Sequence, residues 1–143
     1  MREHGNVLKT NGIVETALYV ADVRRSADFY RSLFGFKSML DDDELCALAV
    51  PGNAVLLLFK KGTRLKPFET PGGAIPTHDA SGRMHVSFKI SAGSLDECKR
   101  ELAARAIRIE SRVDWPRGGS SLYFRDPDEH LVELITPGVW ENY

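Results

Sequence analysis

Three side chains in this sequence, Glu15, His85 and Glu133, have the chemistry of metal ligands, and an internal repeat gives two of them equivalent places. The alternating run Glu15-Thr16-Ala17-Leu18-Tyr19-Val20 opens one half, and His85-Val86-Ser87-Phe88-Lys89-Ile90 opens the other. Setting Glu15 against His85 aligns Leu18 with Phe88 and Val20 with Ile90, so a potential ligand begins each repeat. Glu133 lies near the end of the second repeat. One imidazole nitrogen and two carboxylate oxygens suit a divalent ion of intermediate hardness, Zn, Mn, Fe, Ni or Co, and three protein ligands leave positions open for water or substrate. Two adjacent oxygens on a substrate would chelate such an ion, which stabilises an enolate-like anion as it forms. Glu15 and Glu133 are also the candidates for moving a proton. Plainer readings stand beside these: a satisfied strand histidine at 85, a buried carboxylate at 133 paired with Arg125 or another cation, and a salt bridge at Glu15.

The elements that must position these residues also read twice over. The first repeat shows strand patterns near 13–20, 36–40, 44–50 and 54–60, with a helix from Val23 to Leu33 that Asp22 caps and Gly35 closes. The second shows strands near 84–91, 107–112, 120–125 and 130–136 and a helix from Leu95 to Arg105. Residues 61–82, with Pro67, Pro71, Gly72, Gly73 and Pro76, read as too broken for regular structure, and so long a loop is expected to cover a site or be mobile. The expectation is one α+β domain over 1–143, with module one at about 13–60 and module two at about 83–136.

A denser polar and aromatic group surrounds the third strand of the second repeat. Strand alternation puts Ser121, Tyr123 and Arg125 on one face and Ser120, Leu122 and Phe124 on the other. With Trp115, the first set is a candidate for orienting a small anionic or aromatic ligand, Arg125 being its charge partner; a core Tyr123 and a surface-paired Arg125 are the alternative. His78, at the end of the long loop, is a candidate substrate contact or base against an ordinary exposed loop position. Asp126-Pro127-Asp128 reads as turn chemistry, and His4 and His130 have no supporting context.

Bulk properties exclude several classes. A formal charge of −1 with dispersed Lys and Arg offers nothing to a phosphate backbone, so no nucleic-acid partner is expected. No apolar run reaches the length of a membrane span, and Met1-Arg2-Glu3-His4-Gly5-Asn6 lacks a signal-peptide core, which makes the cytoplasm the expected compartment. Cys46 and Cys98 stand on separate elements and read as isolated, buried or half-buried thiols.

Further residues carry a family resemblance: Leu18-Tyr19-Val20-Ala21-Asp22, Phe29-Tyr30, Leu33-Phe34-Gly35-Phe36, His85-Val86-Ser87-Phe88, Tyr123-Phe124-Arg125-Asp126-Pro127-Asp128 and Val132-Glu133-Leu134. In this order and spacing the chain resembles the vicinal oxygen chelate superfamily, the glyoxalase I, bleomycin-resistance and extradiol dioxygenase group. The resemblance implies paired βαβββ modules whose curled mixed sheets form a cleft, a divalent metal at Glu15, His85 and Glu133, and a small oxygenated substrate. Curled sheets with open edges need covering, so a homodimer is expected, with the Pro-rich loop and Pro137-Gly138-Val139-Trp140 as contributors. The resemblance also implies an alternative, a non-catalytic drug- or metabolite-binding protein of the bleomycin-resistance type, whose members lack the ligands. Two departures count against particular relatives. Glu15 stands where many members have His, which reverses the two-His, one-carboxylate set of oxygen-activating iron. The last strand of the first module offers Val55, Leu56, Leu57 and Leu58 where glyoxalase I enzymes have a carboxylate. Glu129 replaces a frequent Gly in the turn, at an expected cost in strain.

Overall fold

The computed structural model describes residues 5–143, so His4 lies outside the described residues. The first module comprises β1 (Glu15–Val20), α1 (Val23–Phe34), β2 (Lys37–Asp41), β3 (Leu45–Val50) and β4 (Ala54–Lys60). Two short strands, β5 (Phe68–Thr70) and β6 (Gly73–Ile75), follow. The second module comprises β7 (His85–Lys89), α2 (Leu95–Ala104), β8 (Ser111–Asp114), β9 (Ser120–Arg125) and β10 (Leu131–Ile135). The modules build sheets of matching order, β1-β4-β3-β2 and β7-β10-β9-β8. In each, the opening strand runs parallel to the last and the other pairs are antiparallel.

Local chemistry explains these boundaries. The Asp22 carboxylate accepts from the Arg25 amide at 3.2 Å to start α1, and Gly35, at φ 72°, ends it by donating its N–H to the Arg31 carbonyl at 2.8 Å. Two expectations change. Segment 61–82 is not wholly irregular, because Pro71-Gly72 supplies the two-residue turn of the β5–β6 hairpin. The strand expected near 107–112 begins later, at Ser111. Ile107 still bonds back to the Leu102 carbonyl, and Glu110 is the first residue whose amide reaches β9, at the Tyr123 carbonyl. Glu129 takes the expected left-handed backbone, φ 66°.

One core serves both modules. Leu18, Val20, Leu48, Leu56 and Leu58 from the first sheet and Val86, Leu122, Phe124, Val132 and Leu134 from the second belong to it, with Val23, Ala27 and Tyr30 of α1. Phe34 lies 4.8 Å and Tyr30 6.3 Å, centroid to centroid, from Phe88 of β7, so α1 packs against both sheets. Because strand side chains alternate, Glu15, Ala17 and Tyr19 on β1 and His85, Ser87 and Lys89 on β7 occupy the faces turned away from this core.

The turn after β9 clasps the modules. Tyr30 donates to Asp126 Oδ2 at 2.7 Å; Asp128 accepts from the Ala21 amide at 2.8 Å, Ser26 Oγ at 2.7 Å and Arg25 Nη2 at 3.3 Å. His130, wholly buried, accepts the Met84 amide at Nδ1 and donates from Nε2 to the Tyr19 carbonyl, at 2.9 and 2.8 Å. Burial pushes the Tyr30 phenol far above its ordinary titration range, and Asp126 adds to the effect. A phenol raised in the folded state contributes stability that is complete below its unfolded value, about 10, and is lost as the pH rises beyond it. Tyr30→Phe should cost about 1.5–3 kcal/mol in urea unfolding at pH 7. Between pH 9 and 11 the stability gap between wild type and variant should narrow; a gap that widens with pH would contradict this assignment.

Candidate metal centre

The outward face of the second sheet brings His85 and Glu133 together. β10 pairs with β7 in parallel, Leu131 opposite His85 and Glu133 opposite Ser87, which sets the two side chains diagonally across the ladder. His85 Nδ1 lies 2.9 Å from the Leu131 carbonyl oxygen, and Nε2 lies 3.1 Å from Glu133 Oε1. A carbonyl only accepts, so Nδ1 carries the proton. In the neutral ring this leaves the Nε2 lone pair facing a carboxylate lone pair. Two acceptors at that distance repel unless a proton or a metal cation stands with them. A ring nitrogen donating to a backbone carbonyl while the other is left for ligation is the usual setting of a metal-bound histidine. The donor set therefore fits a divalent ion at His85 and Glu133.

The second carboxylate oxygen is also organised. Glu133 is 6% exposed, so its charge needs hydrogen-bond donors. Oε2 accepts from Ser121 Oγ at 2.5 Å and from the Tyr123 hydroxyl at 3.1 Å, while Trp115 Nε1 donates to Ser121 Oγ at 2.9 Å. The antiparallel register of β9 and β10, Tyr123 opposite Glu133, makes this possible. Burial raises the Tyr123 phenol above its ordinary value, and the Glu133 charge and hydrogen bond raise it further. Trp115, Ser121 and Tyr123, read from sequence as ligand contacts, are thus placed as the chain of donors that orients Glu133. Arg125 shares their face but bonds Glu110 Oε2 and the Glu129 carbonyl, each at 3.1 Å; the cation at this position does not pair with Glu133.

Glu15 lies elsewhere. It is exposed on the outward face of the first sheet, and among the described residues no three His, Cys, Asp or Glu side chains gather as a metal cluster. The expectation that Glu15, His85 and Glu133 converge within one chain is corrected by the shared core, which turns the two polar faces away from each other. Val55 and Leu57 flank Glu15 on β4 while Leu56 is buried, so that strand adds no ligand. His78 meets the Tyr19 hydroxyl through Nδ1 at 2.5 Å and packs on Phe59. Sequence reasoning missed His130, although alternation puts it on the same side as Val132 and Leu134, and the 5% exposed Arg64, which sits in no periodic pattern.

Comparison with known proteins agrees with this architecture. The profile of the Glyoxalase/Bleomycin resistance protein/Dioxygenase superfamily matches residues 12–134, and the chain belongs to that superfamily. It is 27% identical over 119 residues to a metallothiol transferase FosB of Lysinibacillus sphaericus, covering 82% of this chain and 76% of the relative. A FosB of Bacillus licheniformis is 25% identical over 135 residues, covering 94% and 80%. Among solved structures, lactoylglutathione lyase from Agrobacterium tumefaciens superposes with a TM-score of 0.83 at 32% identity, covering 92% of this chain and 98% of that one. No described helix is long and apolar enough to cross a membrane.

The orientation of Glu133 has a spectroscopic consequence. Glu133→Gln removes one contribution to the raised Tyr123 phenol and leaves burial in place, so Tyr123 should titrate at lower pH than in wild type yet still above a solvent-exposed tyrosine. Titration of ring-labelled tyrosine by NMR checks this; an unchanged Tyr123 midpoint would separate the two side chains.

Proposed function

We propose that this protein is a divalent-metal enzyme of its superfamily, acting on a small oxygenated organic substrate that chelates the ion, and that its working form is a homodimer. The observation that carries the reading is His85 Nε2 facing Glu133 Oε1 while Nδ1 is tied to the Leu131 carbonyl. His85 and Glu133 would hold the metal, and Glu15 from a second copy would complete the set. The metal, when bound, supplies Lewis acidity toward a substrate with two adjacent oxygens. Names of relatives, metallothiol transferase and lactoylglutathione lyase, favour thiol transfer and lyase chemistry among the reactions of the fold.

The chain's own residues divide the remaining work. Glu133 Oε2 accepts from Ser121 and Tyr123 while Oε1 faces His85 Nε2, which suits holding an ion between the two side chains rather than exchanging a proton. Glu15, exposed and unburdened by such donors, is the carboxylate placed for moving a proton at the substrate carbon or for ligation. Trp115 and Tyr123 wall the same face and would exclude water from one side of the substrate. The second copy is supported by surface chemistry as well: Ile13 and Val14 before β1 are 87% and 58% exposed, and Met39 and Leu40 on β2 are 57% and 49% exposed.

Titration with Mn2+, followed by electron paramagnetic resonance, should show one tight site per chain. His85→Ala should abolish retention, and Ser121→Ala should weaken it about 10–100-fold. Light scattering should give a dimer mass at micromolar concentration. A wild-type protein that holds no divalent ion at millimolar metal would contradict the enzyme reading and leave the binding reading.

A further inference from the structure

The face of the first sheet that carries Glu15 bears a second cluster at its far end. Tyr19 of β1 and Phe59 of β4 stack there with centroids 5.8 Å apart. Segment 61–82 folds back over them. His78 Nδ1 meets the Tyr19 hydroxyl at 2.5 Å, its ring packs edge-on to Phe59 at 4.6 Å, and its amide donates to the Arg64 carbonyl at 3.1 Å. The Arg64 guanidinium lies 4.1 Å from the Phe68 ring and 5.5 Å from Phe59.

The polar atoms of this cluster are not all used. Arg64 Nη1 donates to Glu44 Oε2 and the Thr63 carbonyl, each at 3.2 Å, but among the described residues Nε and Nη2 have no acceptor. His78 Nε2 has no partner either, and since no fully buried side-chain polar atom lacks one, solvent reaches all three. Burial, with Asp79 adding to it, holds the Tyr19 phenol in its protonated form. A protonated hydroxyl both donates and accepts; in the arrangement where it donates to Nδ1, Nε2 carries the N–H. The nearby charges decide what those donors would take. Glu44 already balances Arg64, and the Asp79 carboxylate acts on the Tyr19 phenol, so a second anion here meets a nearby negative charge. A neutral acceptor on an apolar body does not.

We propose that His78 Nε2–H and the unpaired edge of Arg64 form a subsite for a neutral carbonyl or amide oxygen at the end of the substrate remote from its chelating oxygens. Tyr19 stands four residues beyond Glu15 on the same face, about 13 Å along the strand, so the substrate is elongated rather than a compact acid. Phe68, 39% exposed, supplies an apolar wall, and the pairing of Arg64 with Glu44 fixes the guanidinium before a ligand arrives. Tyr19 acts as a positioning residue, setting the tautomer that His78 presents. The place of this subsite along the substrate rests on the reading of Glu15 given above, whereas its donor chemistry does not.

Two measurements test it. In metal-free full-length protein, long-range proton–nitrogen spectra of the imidazole rings are followed during titration with hexanamide and, separately, hexanoate. The His78 Nε2 signal should move saturably with hexanamide, more than with hexanoate, while buried His130 stays fixed; Tyr19→Phe should reduce the movement. No movement up to tens of millimolar amide, or a larger response to hexanoate, overturns the proposal. In Mn2+-loaded protein, an eight-carbon hydroxamate ending in a primary amide should bind about tenfold tighter than octanohydroxamate. His78→Ala should erase that advantage without changing acetohydroxamate or Mn2+ affinity, and His78→Gln, which keeps a donor, should restore part of it. Equal affinity of the amide and alkyl compounds in wild type also overturns the proposal. If Mn2+ is not retained, the metal reading fails and the metal-free titration still decides this one.

Discussion

The arrangement of the whole molecule rests on the clasp between the β9–β10 turn and the first module. Asp126, Asp128 and His130 are spaced two residues apart, and each is buried or nearly so against a partner across the module boundary: Tyr30; Ala21, Ser26 and Arg25; and the Tyr19 carbonyl. Buried carboxylates and a buried imidazole would be costly without these partners, so the modules are held in the one orientation that satisfies them. The same clasp reaches the candidate metal centre. His130 fixes the amide of Met84, the residue before His85, and the next residue, Leu131, supplies the carbonyl that sets the His85 tautomer.

That orientation has a price in completeness. With both apolar faces committed to a single core, the polar faces of the two sheets look outward, and each carries one part of the proposed site. The second sheet holds His85 and Glu133 with their orienting donors; the first holds Glu15, Tyr19 and the strap formed by segment 61–82. In the proposed homodimer, a cleft in which all of these meet would form where the first sheet of one copy faces the second sheet of another. On the proposed reading assembly is a condition of chemistry, since the residues that would hold the metal and those that would grip the far end of the substrate lie on different modules.

Much of this was legible in the sequence, and the unread parts have physical reasons. Alternation and helix capping place β1, α1, β4, β9 and β10 within a residue or two, and the internal repeat pairs Glu15 with His85. The alternation of Ser121 with Tyr123 correctly predicts their common face. What the sequence hides is contact across the module boundary: Asp126-Pro127-Asp128 has the composition of a turn and is one, so nothing in its pattern reveals that it also binds α1. Alternation with Val132 and Leu134 is consistent with a buried His130 but does not reveal its partners, and Arg64 is buried by a strap whose path local propensity does not dictate. The repeat shows that Glu15 and His85 are equivalent, but equivalence is compatible with a cleft inside one chain or between two, and only the shared core separates these.

The proposed site requires above all that Glu15 of one copy meet His85 and Glu133 of another. The direct measurement is Mn2+ stoichiometry after Glu15→Ala and His85→Ala chains are unfolded together in equal amounts and refolded. Neither variant alone should retain the ion tightly, whereas each mixed dimer regains one intact site, giving about one tight site per four chains for random pairing. A mixture that binds no better than its separate components, or a Glu15→Ala protein that holds the ion as wild type does, would contradict it.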